Sequence, residues 1–383
     1  MTQLNQEQLE VLYKINNGKN ILITGSAGVG KSFLIDYIID RYNHRNIGLC
    51  AMTGCAAILI HGSTVHSYLG IGLGHESIEI LLLKVKSNKR VYKKLKYLDI
   101  LIIDEISMLD SALFDKIDSL LQLIRSNVRP FGGIQVILVG DLFQLPPIQN
   151  HYCFLSHKWD DAEFNTFLLK RNMRQTNTQF QEMLERLRWG KCSDEDFNSL
   201  SALKNTEFPE HILPTRLYPK NIDVDSINKK ELEKLLEGKE PMKYQTLEIC
   251  KYAQVILTYN IDLPAGLVNG ARGYVTNYTP AEILVKFQNG LERWITYVSI
   301  KNREGKEHTF MPIKLAWALS IHKSQGMTID ALEVDLGQNI FTYGQAYTAL
   351  SRAKTMESIK IINLSKSAFR VSPAVVDFYS NIS

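Results

Sequence analysis

Residues 25–32 read Gly-Ser-Ala-Gly-Val-Gly-Lys-Ser and follow the apolar run Asn20-Ile-Leu-Ile-Thr24. A strand feeding a glycine-rich loop that ends in Lys-Ser has the chemistry to hold a triphosphate. Backbone N–H groups of Gly25, Ser26, Ala27, Gly28, Val29 and Gly30 can close around phosphate oxygens. Lys31 reaches the β and γ oxygens, and the Ser32 hydroxyl can ligate Mg²⁺. The spacing GxxxxGK[ST] is met in full, between a strand and a helical stretch, so a chance glycine loop is the weaker reading.

"LDILIIDEIS" supplies the partner. Asp104 ends an apolar strand and can hold Mg²⁺, directly or through water, while Glu105 can orient and deprotonate an attacking water. The alternative is a solvated acidic turn. An adjacent Asp-Glu pair points to hydrolysis rather than transfer to a second substrate. "GGIQVILVGDLFQLPPI" is a third strand running into a polar loop, where the Gln144 amide is placed to sense a γ-phosphate. Asp141 serves equally as part of the site or as a strand-end cap. No NKxD guanine-reading motif occurs, since "NKKE" at Asn228 lacks the required acid. The nucleotide expected is ATP.

Two arginines lie far along the chain, Arg174 in "LLKRNMRQ" and Arg352 in "YTALSRA". A lone arginine is usually a surface ion-pair partner. Its functional reading is a cationic finger on the transferring phosphoryl group, worth on the order of 10³–10⁵ in rate. Used by both, that role makes hydrolysis conditional on closure of two lobes.

The elements that must hold these residues follow from hydrophobic patterning. "NILIT", "IGLCAM", "DILIID" and "QVILVG" are short, continuously apolar and rich in β-branched residues, as parallel strands covered on both faces are. Between them, Ser111–Ile124 places Leu113, Ile117, Leu120, Leu121 and Ile124 on one helical face. That is an α/β nucleotide-binding lobe. Further on, "TRLYP", "QVILTYN", "LEVDL" and "SIKIINL" read as strands of a second α/β lobe, with "YGQAYTALSRA" as a helix. Within it, residues 266–314 carry an Asn289-Gly290 turn flanked by two-residue alternation, which predicts an inserted antiparallel β module. The expected organisation is a first lobe over 1–165 with a basic insertion at about 70–96, a second over 166–265 and 315–383, and the insert at 266–314.

Composition sets outer bounds. The chain has 383 residues, 45% hydrophobic and 22% charged, with a net charge of +4. That balance suits a folded protein and permits a polyanionic partner without requiring one. Five scattered cysteines without a CxxC pair argue against a zinc site or a disulfide partner and favour a reducing, intracellular compartment. No apolar run reaches the roughly 20 residues of a membrane helix, and the first residues fit neither a secretory nor a transit peptide.

In order, the chain shows "LNQEQ", "GSAGVGKS", "MTGCAAILIHGSTVHSYLG", "IIDEISML", "GGIQVILVGDLFQLPP", "NMRQ", "VNGARG", "LAWALSIHKSQGMTID" and "GQAYTALSRA". This series, from Leu4 to Ala353, resembles the Pif (petite integration frequency) helicases of superfamily 1B, relatives of RecD-like enzymes. "SMLDSALFDKIDSLLQLIRSNVRPFGGIQ" is similar to the segment that separates that family from RecD. The resemblance implies two RecA-like P-loop lobes with parallel sheets and a small SH3-like β module in the second. It implies an ATP-driven motor moving 5′ to 3′ on single-stranded DNA and unwinding duplex, with quadruplex or RNA–DNA hybrid structures as further substrates. Replication, repair and recombination are the settings it implies.

At matching positions the resemblance places Gln8 against the adenine edge and the Gly326 backbone near the γ-phosphate, with ATP and Mg²⁺ as cofactors. Thr53, Thr64 and His66 from the first lobe, and Asn221, His322, Lys323 and Thr328 from the second, are the expected contacts to single-stranded or forked DNA. His66 reads alternatively as a packed, internally bonded histidine. Phe143, Pro146 and Tyr259 can stack on bases but read equally as core. The stretch 70–96 departs from the family pattern, as do the residues just before Arg174. Its "LLLKVKSNKRVYKKLKYL" carries Lys84, Lys86, Lys89, Arg90, Lys93, Lys94 and Lys96 without an acid, either a solvated helix face or a phosphate-tracking surface. The family's flanking extensions are not expected, and the free protein is expected to be a monomer. A P-loop switch that does not unwind, or an RNA helicase of the viral superfamily 1 kind, are the competing readings.

Overall fold

The computed structural model describes residues 4–170, 177–208, 213–219, 224–262, 264–301 and 307–382. These residues fall into two compact units, one of residues up to 170 together with Pro373 onward, the other between them.

The apolar runs of the first unit become β1 (Ile21–Thr24), β2 (Ile47–Ala51), β3 (Ser63–Thr64), β4 (Ile100–Asp104), β5 (Gln135–Gly140) and β6 (Asn165–Leu168). All pair in parallel, in the order β3-β2-β4-β5-β1-β6. The register sets Ala51 beside Thr64 and Asp104, and Thr24 beside Gly140 and Leu168. Every strand therefore ends on one edge of the sheet, the usual ligand edge of an open α/β sheet. Helices α1 (Gln6–Asn16) and α2 (Lys31–Arg41) bury Val11, Leu12, Ile15, Leu34, Ile35 and Ile38 against Ile21, Ile23, Ile102, Ile137 and Val139. Helix Ser111–Arg125 starts where Asp110 accepts from Leu113 N at 2.7 Å and buries the predicted face of Leu113, Ile117, Leu120, Leu121 and Ile124.

Two features of this unit differ from the expected boundaries. The strand β6 lies at 165–168 and pairs with β1, so the unit runs past 165. The helix Pro373–Ser380, expected in the second lobe, belongs to the first. Neither "NTFL" nor "PAVVDFYS" carries a local signal naming the sheet it joins.

In the basic insertion, helices Ile78–Ser87 and Lys89–Lys96 meet at Asn88, whose side chain accepts from Val91 N. They bury only Leu81, Val85 and Leu95, which leaves Lys86, Lys89, Arg90, Lys93 and Lys96 exposed. Lys94 is held inward, bonded to the Tyr68 carbonyl and 3.6 Å over its ring.

The second unit contains β7 (Thr215–Tyr218), β8 (Met242–Tyr244), β9 (Leu247–Ile249), β10 (Gln254–Leu257), β11 (Arg272–Tyr278), β12 (Glu282–Phe287), β13 (Glu292–Thr296), β14 (Val298–Lys301), β15 (Glu307–Phe310), β16 (Ile313–Leu315), β17 (Ala318–Ser320), β18 (Leu332–Leu336) and β19 (Ile359–Leu364). A parallel sheet runs β17-β7-β18-β19, and an antiparallel one β13-β12-β11-β10-β16. The first contains three strands read from the sequence, plus β17. "QVILTYN" does not join it. Its residues Gln254–Leu257 are β10, antiparallel to both β11 and β16. A continuous apolar run shows that both faces are covered but not which neighbours cover them. The Asn289-Gly290 turn does join β12 to β13, with Gly290 in the left-handed region at φ +85°. Gly270 (φ +96°) lies so close to loop 326–328 that a Cβ there would come 1.6 Å from the Thr328 carbonyl oxygen.

Candidate functional site

At the strand-end edge of the first unit, the phosphate loop leaves β1 and enters α2. Gly25 packs against the chain after β6, where a Cβ would lie 2.4 Å from the Leu169 carbonyl oxygen. Gly30 caps α2 in the left-handed conformation (φ +85°), turning the loop into the helix. The Lys31 ammonium donates to the carbonyls of Gly25 (2.8 Å) and Ser26 (2.9 Å), and the Ser32 side chain is exposed at the helix N-terminus. Gln8, buried, belongs to the capping box of α1, where its Oε1 accepts from Asn5 N at 3.1 Å. Its Nε2 lies beside Gly30, 3.6 Å from where a Cβ would stand.

Asp104 closes β4 largely buried, and its Oδ1 accepts from Glu105 N at 2.8 Å. Burial, then the neighbouring Glu105 charge, push its carboxyl up to about 7, against the pull of Lys31. Glu105 adopts a left-handed backbone (φ 56°), uncommon for a residue with a side chain. The folded state thus keeps a proton on Asp104 to about pH 7, whereas the unfolded chain releases it near 3.8. Between those values the folded state binds more protons at this group, so the contribution of Asp104 to stability falls as pH rises across that window and levels off above it. The difference in unfolding midpoint between wild type and Asp104→Asn, measured in EDTA from pH 4 to 8, should shift against the wild type as pH rises, whereas the lowered His66 and His322 act in the opposite sense in both proteins.

The loop after β5 carries Asp141 and Gln144, both buried. Asp141 caps it, accepting from Phe143 N at 3.2 Å. The Gln144 Oε1 is buried with no hydrogen-bond partner, which is costly unless something binds there. Gln8, residues 25–32, Asp104, Glu105 and Gln144 thus all belong to the first unit's strand-end edge and its loops.

Thr53 and Thr64, after β2 and on β3, lie on the same edge. Each hydroxyl oxygen caps a short helix, accepting from Ala56 N and Ser67 N respectively. His66 is half-buried, and burial lowers its pKa, with Asp110 opposing and His75 adding to the fall.

In the second unit, Gly326 (φ +78°) follows the turn His322–Ser324. Burial lowers the His322 pKa, and the exposed Lys323 ammonium lies 3.9 Å from Asp225. Ile329 N donates to the Arg352 carbonyl, joining this loop to the helix Gln345–Leu350. The Arg352 side chain, 2% exposed, donates to the Thr348 carbonyl (3.0 Å) and Ser351 Oγ (2.9 Å). Arg174 and Asn221 lie outside the described residues.

Sequence reading missed several residues here. The Asn269 and Gln325 amides and the Thr348 hydroxyl are buried without hydrogen-bond partners, as are two Arg272 guanidinium nitrogens. Burial pushes Arg272 down to about 9, with Asp330 opposing. All stand in stretches singled out by sequence, "VNGARG", "SIHKSQGMT" and "YTALSRA". No local pattern tells which of their polar atoms are buried and unpaired.

The model of the PIF1-like helicase family matches residues 3–198. The chain is 36% identical to the ATP-dependent DNA helicase PIF1 of Xenopus laevis over 98% of its own length, and it spans 64% of that relative. It is similar to the crystal structure of Pif1 helicase from Candida albicans (TM-score 0.81, 32% identity, all of both chains). It also resembles Pif1 helicase from Bacteroides in complex with ADP-AlF3 and ssDNA (TM-score 0.72, 27% identity, 100% of this chain and 97% of that one).

Proposed function

Since this chain belongs to the PIF1-like helicase family, we propose that it hydrolyses ATP to move 5′ to 3′ along single-stranded DNA and unwind the duplex ahead. The observation that carries this reading is the edge itself. A glycine loop with Lys31, the Asp104–Glu105 pair and an unpartnered buried Gln144 oxygen gather at the ends of parallel strands. Lys31 takes the β/γ oxygens, Glu105 activates water, and Gln144 senses the terminal phosphate. Gln8, with Oε1 engaged in its capping box, offers Nε2 to the adenine. The Ser32 hydroxyl and Asp104 carboxylate are hard oxygen donors of the kind Mg²⁺ takes. Bound there, the ion neutralises phosphate charge.

Arg352 and Arg174 act as the transition-state cations, and the Gly326 backbone approaches the γ-phosphate. Thr53, Thr64, His66, His322, Lys323, Thr328 and Asn221 contact the DNA backbone, and the exposed lysines of helices Ile78–Ser87 and Lys89–Lys96 track its phosphates. The free protein is a monomer in a reducing compartment, and its second unit carries the SH3-like module. Quadruplexes and RNA–DNA hybrids are further substrates. The bound nucleotide mimic and single strand of the Bacteroides relative support the ligand assignment.

Strand displacement on tailed duplexes tests it. A 5′-tailed substrate should be unwound with ATP and a 3′-tailed one left intact. The reverse preference contradicts the proposed polarity. ATP hydrolysis without displacement leaves a P-loop switch, and stronger stimulation by poly(U) than poly(dT) favours RNA.

A further inference from the structure

The helix Pro373–Ser380 places two adjacent aromatic side chains in the first unit, and they do different things there. Phe378 enters an aromatic cluster, its ring 4.5 Å from that of Phe154 and 5.9 Å from Trp159. That anchors the helix. Tyr379, buried, stacks on Phe143 at 4.6 Å and 15°. Its hydroxyl goes further than packing requires, sharing a hydrogen bond with Thr24 Oγ1 and accepting from Leu142 N at 3.4 Å.

Both partners lie at the roots of catalytic loops. Thr24 is the last residue of β1, and the next residue, Gly25, offers the carbonyl that receives the Lys31 ammonium. Leu142 stands two residues before Gln144. The β1–β5 register runs to Thr24 opposite Gly140, after which the two chains enter their separate loops. One phenolic oxygen joins those loops just beyond the last strand pair.

We propose that Tyr379 is a positioning residue for ATP hydrolysis, its hydroxyl fixing the separation of the phosphate loop and Gln144 through Thr24 and Leu142. This rests on reading the edge as an ATP site. A phenylalanine would pack equally well on Phe143, so the hydroxyl, buried among polar groups of both loop roots, is the informative part. Phosphate binding by the loop's own N–H groups does not need Gln144 held in register. Aligning water and terminal phosphate does. A small misplacement of such a group lowers turnover more than substrate affinity.

The test is steady-state ATP hydrolysis at saturating single-stranded DNA, with unfolding midpoints alongside. Tyr379→Phe and Thr24→Val should each lower kcat about five- to tenfold while KM for ATP stays within about twofold. The double variant should fall no further than the worse single one, and Thr24→Ser, which keeps the hydroxyl, should match wild type. Unchanged kcat in Tyr379→Phe overturns the proposal, as does a loss that simply tracks the unfolding midpoint. Should Tyr379→Phe not fold, Thr24→Val and Thr24→Ser decide, and equal kcat in those two overturns it. A wild type that hydrolyses no ATP sinks the site reading and this inference with it. An active wild type with indifferent variants sinks this inference alone.

Discussion

Lys31→Ala is expected to lower ATP hydrolysis by at least ~10³ while leaving single-strand binding largely intact. The ammonium donates to the carbonyls of its own loop, Gly25 and Ser26, which sets it beside the phosphate-binding N–H groups. The same charge eases ionisation of Asp104, so alanine removes the phosphate contact and leaves the nearby carboxyl harder to ionise. DNA binding is proposed to rest on other residues. Turnover measured beside fluorescence anisotropy on a labelled oligonucleotide checks this, and wild-type turnover in the variant would refute the site assignment.

Arg352→Ala should cost about as much, on the order of 10³ in turnover. Its side chain is already bonded to the Thr348 carbonyl and Ser351 Oγ, which raises the bland alternative of an arginine that merely ties down the end of its helix. The two are separated by what moves. A helix tie would lower the unfolding midpoint and leave kcat nearly alone, whereas a phosphoryl-stabilising cation would lower kcat far more than any change in ATP binding. A kcat drop of only a few fold would reduce Arg352 to the structural role.

Much of this was legible in the chain, for definable reasons. The runs at Ile21–Thr24, Ile47–Ala51, Ile100–Asp104 and Gln135–Gly140 are apolar without interruption because helices cover both faces of a parallel sheet, and that pattern is local. The face of Ser111–Arg125 is legible for the same reason. The phosphate loop and the Asp104–Glu105 pair carry their chemistry in contiguous residues. What escaped depends on distant partners. Gln254–Leu257 looks like the parallel strands because burial is all its composition encodes, and its antiparallel neighbours are set by pairings with β11 and β16. Helix Pro373–Ser380 lies 355 residues from the Thr24 hydroxyl that its Tyr379 meets. Asn269, Gln325 and Thr348 are unremarkable as residue types and become notable only when their surroundings leave them unpaired.

The antiparallel sheet of the second unit has two glycines in left-handed turns with opposite surroundings. At Gly290 an added methyl would meet no heavy atom within 4 Å, while at Gly270 it would collide with a main-chain carbonyl. The β12–β13 turn is held by the Asn289 amide on the Ala265 carbonyl, yet position 290 itself faces open space, so a side chain there meets only the strain of its left-handed backbone. Residue 270, beside that turn at the same end of the sheet, is a welded joint where even the smallest side chain must displace backbone, so diversity among related chains should fall on residue 290 before it falls on residue 270.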